Sequence, residues 1–343
     1  MKILIACDCY VTPEMIDKIK DLEKYGNEVV VYDNKLLETK EAFAEYMLKT
    51  ELEGAEAVEA GDEFVRLAED ADIIAVHLTP VNKKVIDNAK KLKLVAVMRG
   101  GVDSVNVDLL NKKGIIVTNA PWRSAFAVAD FTVGMMISEV KNIAKSHHLL
   151  MEGKWEKEYP NDINYIDMRN RTIGLIGFGY IGQRVQQNLS GFGSKVIVHD
   201  PFMDDERVKQ LGGNPVSLDE LLSTSDIISL HLRYSEKTKN FIGRKEFAKM
   251  NEKATLINTA RAGLVDQEAM IEALENKKIL GAAVDVYHEE PLPKDNPYTK
   301  LDNITLTPHI AGVSNDTIAN AVEIISEDLN RYFKNEEMKC VVR

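Results

Sequence analysis

Four side chains in this sequence pair a type suited to carbonyl or carboxylate chemistry with a position just past an apolar run of strand length. Arg261 stands in INTARAG after Ala254 to Asn258, and Glu290 in YHEEP after Gly281 to Val286. His309 stands in TPHIAG after Ile304 to Leu306, and Arg99 in VMRGGVD after Leu94 to Val97. Ligands of open α/β sheets bind outside the carboxyl ends of the strands, so groups delivered there by neighbouring strands share one edge. A guanidinium at that edge can clamp a carboxylate in bidentate fashion and polarise the adjoining carbonyl. A histidine beside a carboxylate is a general acid/base whose orientation and charge the partner sets. Gly100 and Gly101 add backbone N–H groups that could hold a carboxylate. Taken singly, each residue has a plainer reading: a surface arginine, a solvated loop acid, a structural histidine. Their weight comes from sharing an edge.

The element that must position them is Arg171 to Asp200, RTIGLIGFGYIGQRVQQNLSGFGSKVIVHD. An apolar run ends at Gly177, Ile181, Val185 and Leu189 recur every four residues, and a second apolar run ends at Asp200. This predicts strand, tight turn, helix and strand. Gly177 serves the turn, Gly179 lets the backbone approach a pyrophosphate, and Gly182 lets the helix lie close to the strand, with the helix N-terminus facing the phosphates. Asp200, 18 residues after Gly182, is placed to accept hydrogen bonds from the adenosine ribose hydroxyls. No Arg or Lys follows it within five residues, so NAD is expected over NADP.

A chain of 343 residues with 45 % hydrophobic and 28 % charged content has room for two globular domains. The segment DIIAVHL at Asp72 to Leu78 reappears as DIISLHL at Asp226 to Leu232, so both halves read as βα units of one design. Only the second carries the glycine fingerprint; the corresponding turn, Cys7 to Pro13, has no glycine, so the first half is expected to bind no dinucleotide. Thr12, Pro13 and Glu14 are expected to open a helix, and Lys35 to Glu63 to form surface helices and loops without chemistry. Ser124 is expected to cap a long helix whose stripe of Phe126, Val128, Val133, Met136, Ile137, Val140 and Ile143 is either core or dimer interface. A net charge of −11 without a basic cluster argues against nucleic acid and anionic membranes. Cys7, Cys9 and Cys340 form neither a disulfide framework nor a zinc motif, so no metal is expected. The N-terminal apolar run is too short for a signal sequence and no long apolar stretch follows, so a cytoplasmic protein is expected.

The fingerprint ending in Asp200, the NTAR segment, DVYHEEP and PHIAG, together with RGGVD and NAPWRSAFAVADFT, resemble the D-isomer-specific 2-hydroxyacid dehydrogenase family over nearly the whole chain. The resemblance implies two doubly wound parallel-sheet domains. One is a flavodoxin-like substrate domain, residues 1–119 and 311–343; the other is a Rossmann NAD-binding domain, residues 120–310, with substrate in the cleft. It implies catalysis by Arg261, Glu290 and His309, and cofactor contacts also from Tyr180, Ile181, His231, Leu232, Thr259, Ala260 and Asp285. The expected reaction interconverts a D-2-hydroxy acid and its 2-keto acid in a homodimer. Where the family usually has Gly after Asn-x-Pro this chain has Trp122, expected to reshape the mouth of the cleft, and where it usually has Glu it has Asp130. A non-catalytic NAD-binding sensor or partner-binding protein of the same fold could dispense with His309 or Glu290, and this chain retains both. A methyltransferase is disfavoured by Asp200 and the downstream set.

Overall fold

Short apolar runs form the strands of the computed structural model, fully buried in the middle of each sheet and partly exposed towards its edges, as at Glu28–Asp33 and Lys195–His199; the structure describes residues 1–159, 161 and 166–342. The chain divides into two compact units, Met1–Arg123 with Ser314–Arg343, and Ser124–Val313.

In the first unit, β1 (Lys2–Cys7), β2 (Glu28–Asp33), β3 (Ile73–Val76), β4 (Leu94–Val97) and β5 (Ile116–Asn119) pair in parallel in the order β2-β1-β3-β4-β5. That is the flavodoxin-like order, with its topological switch between β1 and β3. Period-two alternation sends Leu4, Ala6, Ile74 and Val76 to one face, against Phe64, Val85 and Leu110. Ile3, Ile5, Ile73 and Ala75 go to the other, against Ile16, Ile19 and the C-terminal helix residues Ala321, Ile325 and Leu329. Each such aliphatic side chain contributes roughly 1.5–3 kcal/mol on burial, which is why runs this short suffice. The helix Asp316–Phe333 is tied to β5 by buried Asp328, which accepts from the Thr118 hydroxyl at 2.6 Å and from the Cys340 N–H at 3.0 Å.

In the second unit, β6 (Thr172–Ile176), β7 (Lys195–His199), β8 (Ile227–Leu230), β9 (Thr255–Asn258), β10 (Gly281–Val284) and β11 (Ile304–Leu306) form a parallel sheet ordered β11-β10-β9-β8-β6-β7. Beyond β7, Val198 makes a parallel bridge to Pro215. The Rossmann order 3-2-1-4-5-6 is thus present with its third strand reduced to a bridge. Ala129, Val133, Met136 and Val140 of the helix Ala125–Val140 pack with Ile173, Leu175, Ile257 and Ala283.

Three local expectations are corrected. Thr12-Pro13-Glu14 opens no helix: Asp8 accepts the N–H groups of Tyr10 and Val11, Met15 N–H bonds Thr12, and this turn delays the helix to Asp17–Lys20. Ser124 occupies the N-cap position without a side-chain cap bond. The apolar stripe spans two helices, because Asn142 takes φ +55° and the chain restarts as Ile143–Met151. No helix among the described residues is long and apolar enough to cross a membrane.

Candidate active site

The fingerprint folds as strand β6, turn and helix Tyr180–Leu189, and its first and third glycines are dictated by contact. Gly177 takes φ +98°, and a Cβ there would lie 2.7 Å from the His231 carbonyl carbon; one at Gly182 would lie 2.3 Å from the Gly177 oxygen. At Gly179 a Cβ would meet nothing within 4 Å, so the space beside the helix N-terminus is open. Among the described residues buried His231 Nε2, against the same turn, has no partner, and burial pushes the ring's pKa down to about 4, leaving it neutral. An open phosphate-facing backbone and an orphaned buried nitrogen fit a dinucleotide. Asp200 accepts the Phe178 N–H at 2.7 Å and the Phe202 N–H at 2.8 Å, which leaves lone pairs for ribose hydroxyls. Tyr180 is exposed, Ile181 half-buried and Leu232 in the core. Ala260 is partly buried, and the Thr259 hydroxyl bonds Thr132 at 2.7 Å inside the unit.

At the carboxyl edge of the same sheet, His309 Nδ1 lies 2.7 Å from Glu290 Oε2, while Glu290 Oε1 accepts the Tyr287 N–H at 2.9 Å. Partial burial alone would raise the Glu290 carboxyl. The His309 hydrogen bond, the Tyr287 N–H and the Arg261 charge outweigh it and hold the group below the usual glutamate range. Arg261 is exposed, its Nη1 donating to the Ala260 carbonyl at 2.7 Å and its own carbonyl accepting from Asn258. His309 itself has φ +54°, a conformation costly for a residue with a side chain. Asp285 compensates: its buried carboxylate accepts the Thr307 hydroxyl at 2.6 Å and the Ile310 and Ala311 N–H groups at 3.0 and 2.8 Å. The structure therefore gives Asp285 a loop-holding task beyond the cofactor contact expected of it.

The first unit gathers a second set at its own carboxyl edge. Arg99 follows β4, its Nη2 3.5 Å from Glu51, and among the described residues neither Gly100 nor Gly101 N–H donates within the chain. Sequence reading missed the companions. Asp8 follows β1, His77 follows β3 and Arg123 follows β5; His77 Nδ1 lies 3.0 Å from Asp8 and its Nε2 3.3 Å from Arg123 Nη1. Phe43, from the segment read as chemically silent, stacks on His77 with centroids 5.2 Å apart. The one available signal was the repeated strand ending, which puts His77 where His231 stands.

Residues 133–311 match the family model described as D-isomer specific 2-hydroxyacid dehydrogenase, NAD binding domain. The chain is 37 % identical over 283 residues to a D-3-phosphoglycerate dehydrogenase of Methanocaldococcus jannaschii, covering 82 % of this chain and 53 % of that one. It thus spans about half the length of that relative. It is 38 % identical over 275 residues to a hydroxypyruvate reductase of Thermotoga maritima, covering 79 % and 88 %. Among solved structures it resembles the NAD-complexed D-isomer specific 2-hydroxyacid dehydrogenase of Lactobacillus delbrueckii ssp. bulgaricus, with TM-score 0.76, 26 % identity and full coverage of both chains. With a Rossmann unit whose turn fits NAD and relatives alike over most of its length, this chain belongs to the D-isomer specific 2-hydroxyacid dehydrogenases.

Proposed function

We propose that the protein interconverts a D-2-hydroxy acid and its 2-keto acid, with Arg261, Glu290 and His309 as its catalytic residues. The observation that carries this reading is the 2.7 Å contact between His309 and Glu290 at the sheet edge that bears the dinucleotide turn. NAD, held by the turn at Gly177, Gly179 and Gly182 and by Asp200, supplies the hydride acceptor or donor. Arg261 binds the substrate carboxylate and polarises the neighbouring carbonyl. In the reducing direction, His309 gives a proton to the carbonyl oxygen; in the oxidising direction it takes the hydroxyl proton. Glu290, ionised through neutral pH, receives Nδ1–H and so leaves Nε2 to face the substrate. Arg99, Gly100 and Gly101 supply further substrate-binding groups from the first unit.

Two further proposals concern the setting. The exposed apolar side chains Phe126, Ile143, Leu150, Met151 and Trp155 lie on or just after two consecutive helices of the second unit and support a homodimer formed through it. The free thiols of Cys7, Cys9 and Cys340 fit a reducing compartment such as the cytoplasm. The reading is tested by NADH consumption with glyoxylate, hydroxypyruvate, pyruvate and branched-chain 2-keto acids. Saturable reduction of at least one supports it; NADH binding without turnover of any would replace it with a sensor.

A further inference from the structure

Gly263 is a glycine for a reason its backbone does not give. Unlike Gly177 it does not take a positive φ, so its conformation is open to residues with side chains. What excludes a side chain is Tyr234: a Cβ on Gly263 would lie 2.4 Å from Tyr234 Cε2 and 3.0 Å from Cδ2 and Cζ. The ring is therefore laid against the glycine, in the space a Cβ would need. Tyr234 belongs to the loop after β8 and Gly263 to the loop after β9, the neighbouring strand, two residues past Arg261.

Tyr234 is 42 % exposed, and among the described residues its hydroxyl has no hydrogen-bond partner, so it is neither a core filler nor a hydrogen-bonded strut. Its own turn is preset, because buried Thr238 Oγ1 accepts the Ser235 N–H and donates to the Arg233 carbonyl, both at 2.8 Å. Farther along, the same segment runs beside the Arg261 loop. The Asn240 N–H donates to the Gly263 carbonyl at 2.8 Å, the Ile242 N–H to the Leu264 carbonyl at 3.0 Å, and the Asp266 N–H to the Ile242 carbonyl at 2.9 Å. Arg261 depends on such a hold. It is exposed, and its Nη1 bonds the Ala260 carbonyl of its own loop, so the direction of the guanidinium follows the backbone. The Arg261 carbonyl accepts from Asn258 Nδ2 at 3.0 Å and from the Leu264 N–H at 3.2 Å, which closes Asn258 to Leu264 into one turn with Gly263 inside it. A shift at Gly263 therefore reaches Arg261, and a misplacement of about 1 Å in a group that must meet reacting atoms can cost about 10²-fold.

We infer that Tyr234 is a positioning residue for Arg261: its ring, seated on Gly263, fixes the turn from which the guanidinium is presented, and Gly263 is the matching half of that contact. The inference rests on the reading of Arg261 given above and adds the residue that aims it.

The test is NADH-dependent reduction of whichever 2-keto acid of the panel above turns over fastest, joined to thermal unfolding and to fluorescence titration with NADH on the same preparations. Tyr234→Ala should lower kcat/KM by about tenfold to a hundredfold. Tyr234→Phe keeps the ring and should bring it back to within about threefold of wild type. NADH affinity should be unchanged in both, which general damage to the unit would not allow. Gly263→Ala sets a methyl against the ring and should lower both kcat/KM and Tm. In the Tyr234→Ala background the same methyl should cost little further, because the three atoms nearest to it all belong to that ring. The deciding cycle pairs Tyr234→Ala with Arg261→Ala: once the arginine is gone, loss of the ring should change kcat/KM by less than about threefold, since a residue that acts through Arg261 has nothing left to aim. Multiplication of the two losses, a matching loss of NADH affinity, or a Tyr234→Ala enzyme as active as wild type would overturn the inference and leave Arg261 in its role. A Tyr234→Phe enzyme as impaired as Tyr234→Ala would assign the effect to the hydroxyl and overturn it too. Should Tyr234→Ala fail to fold, Gly263→Ala, alone and with Arg261→Ala, decides. If Arg261→Ala itself costs less than about threefold, or no 2-keto acid is reduced, the earlier reading falls and this one with it.

Discussion

Arg261 and Glu290 come from different loops of the second unit, yet the arginine's charge is among the causes that hold the glutamate ionised. His309 lowers the same carboxyl more strongly, so on the proposed mechanism a change at the arginine would be felt by the substrate and, to a smaller degree, by the acid/base pair.

Arg261→Ala should reduce kcat/KM for 2-keto-acid reduction by about 10²–10³, corresponding to roughly 2–4 kcal/mol for a bidentate contact that tightens in the transition state. Arg261→Lys should recover only part. Loss of less than about threefold on alanine substitution, under 1 kcal/mol, would remove the arginine from the mechanism.

Asp200 should make NADH the better cofactor, because a 2′-phosphate would meet its carboxylate. The same carboxylate holds the Phe178 N–H inside the fingerprint turn. Asp200→Ala should therefore narrow the gap by weakening NADH more than by improving NADPH, as steady-state KM values for both will show. Equal kcat/KM for the two cofactors in the unmodified protein would contradict the assignment.

Asp285→Ala should loosen the His309 loop. Hydrogen bonds to charged groups contribute roughly 1.5–3 kcal/mol each, and three donors would lose their acceptor while the strained His309 backbone lost its support. A lowered Tm with a fall in kcat is expected; thermal unfolding and kinetics on one preparation check it. An unchanged Tm would mean that the loop is held by other means.

The sheets and the dinucleotide turn were legible because their determinants are local. Each strand is centred on a short apolar run, and Gly177 and Gly182 answer to backbone contacts within the motif or across one strand pair. The pairing of Asp8 with His77, 69 residues apart, was not. Neither residue stands out alone, and only the register of β1 against β3 joins them. Phe43 escaped because its helix, Lys40–Glu53, is dominated by charged and small residues, with Phe43 and Thr50 alone fully buried. The break at Asn142 escaped because a positive φ leaves no mark on an apolar stripe.

The homodimer is checked by sedimentation. Ile143 and Leu150 are 54 % exposed and Met151 75 %, an apolar surface that a monomer would present to water. Ile143→Glu with Leu150→Glu should shift the mass toward a monomer without loss of helix content. A concentration-independent monomer mass for the unmodified protein would reject the proposal.

The last expectation concerns protonation. Glu290 has its pKa depressed in the folded protein, so what its ionised form contributes is present above the ordinary glutamate range and is lost only as pH falls through the lowered value. Through neutral and alkaline pH it is a fixed negative charge 2.7 Å from His309 Nδ1. Reduction of a keto acid consumes a proton, which in the proposed mechanism His309 carries when hydride arrives, so reduction should fall along an alkaline limb while oxidation of the hydroxy acid rises over the same interval. Glu290→Gln keeps the shape and removes the charge that favours the protonated ring. Its alkaline limb for reduction should move to lower pH, and the rising limb for oxidation should move with it. His309→Ala should lose on the order of 10²–10⁴ in kcat/KM in both directions, as for a deleted general acid/base. The quantity to follow is kcat/KM against pH, because kcat can be masked by slow cofactor release. A limb that stays in place in Glu290→Gln would show that the carboxylate orients the ring without tuning it. A nearly fully active His309→Ala would remove the mechanism altogether.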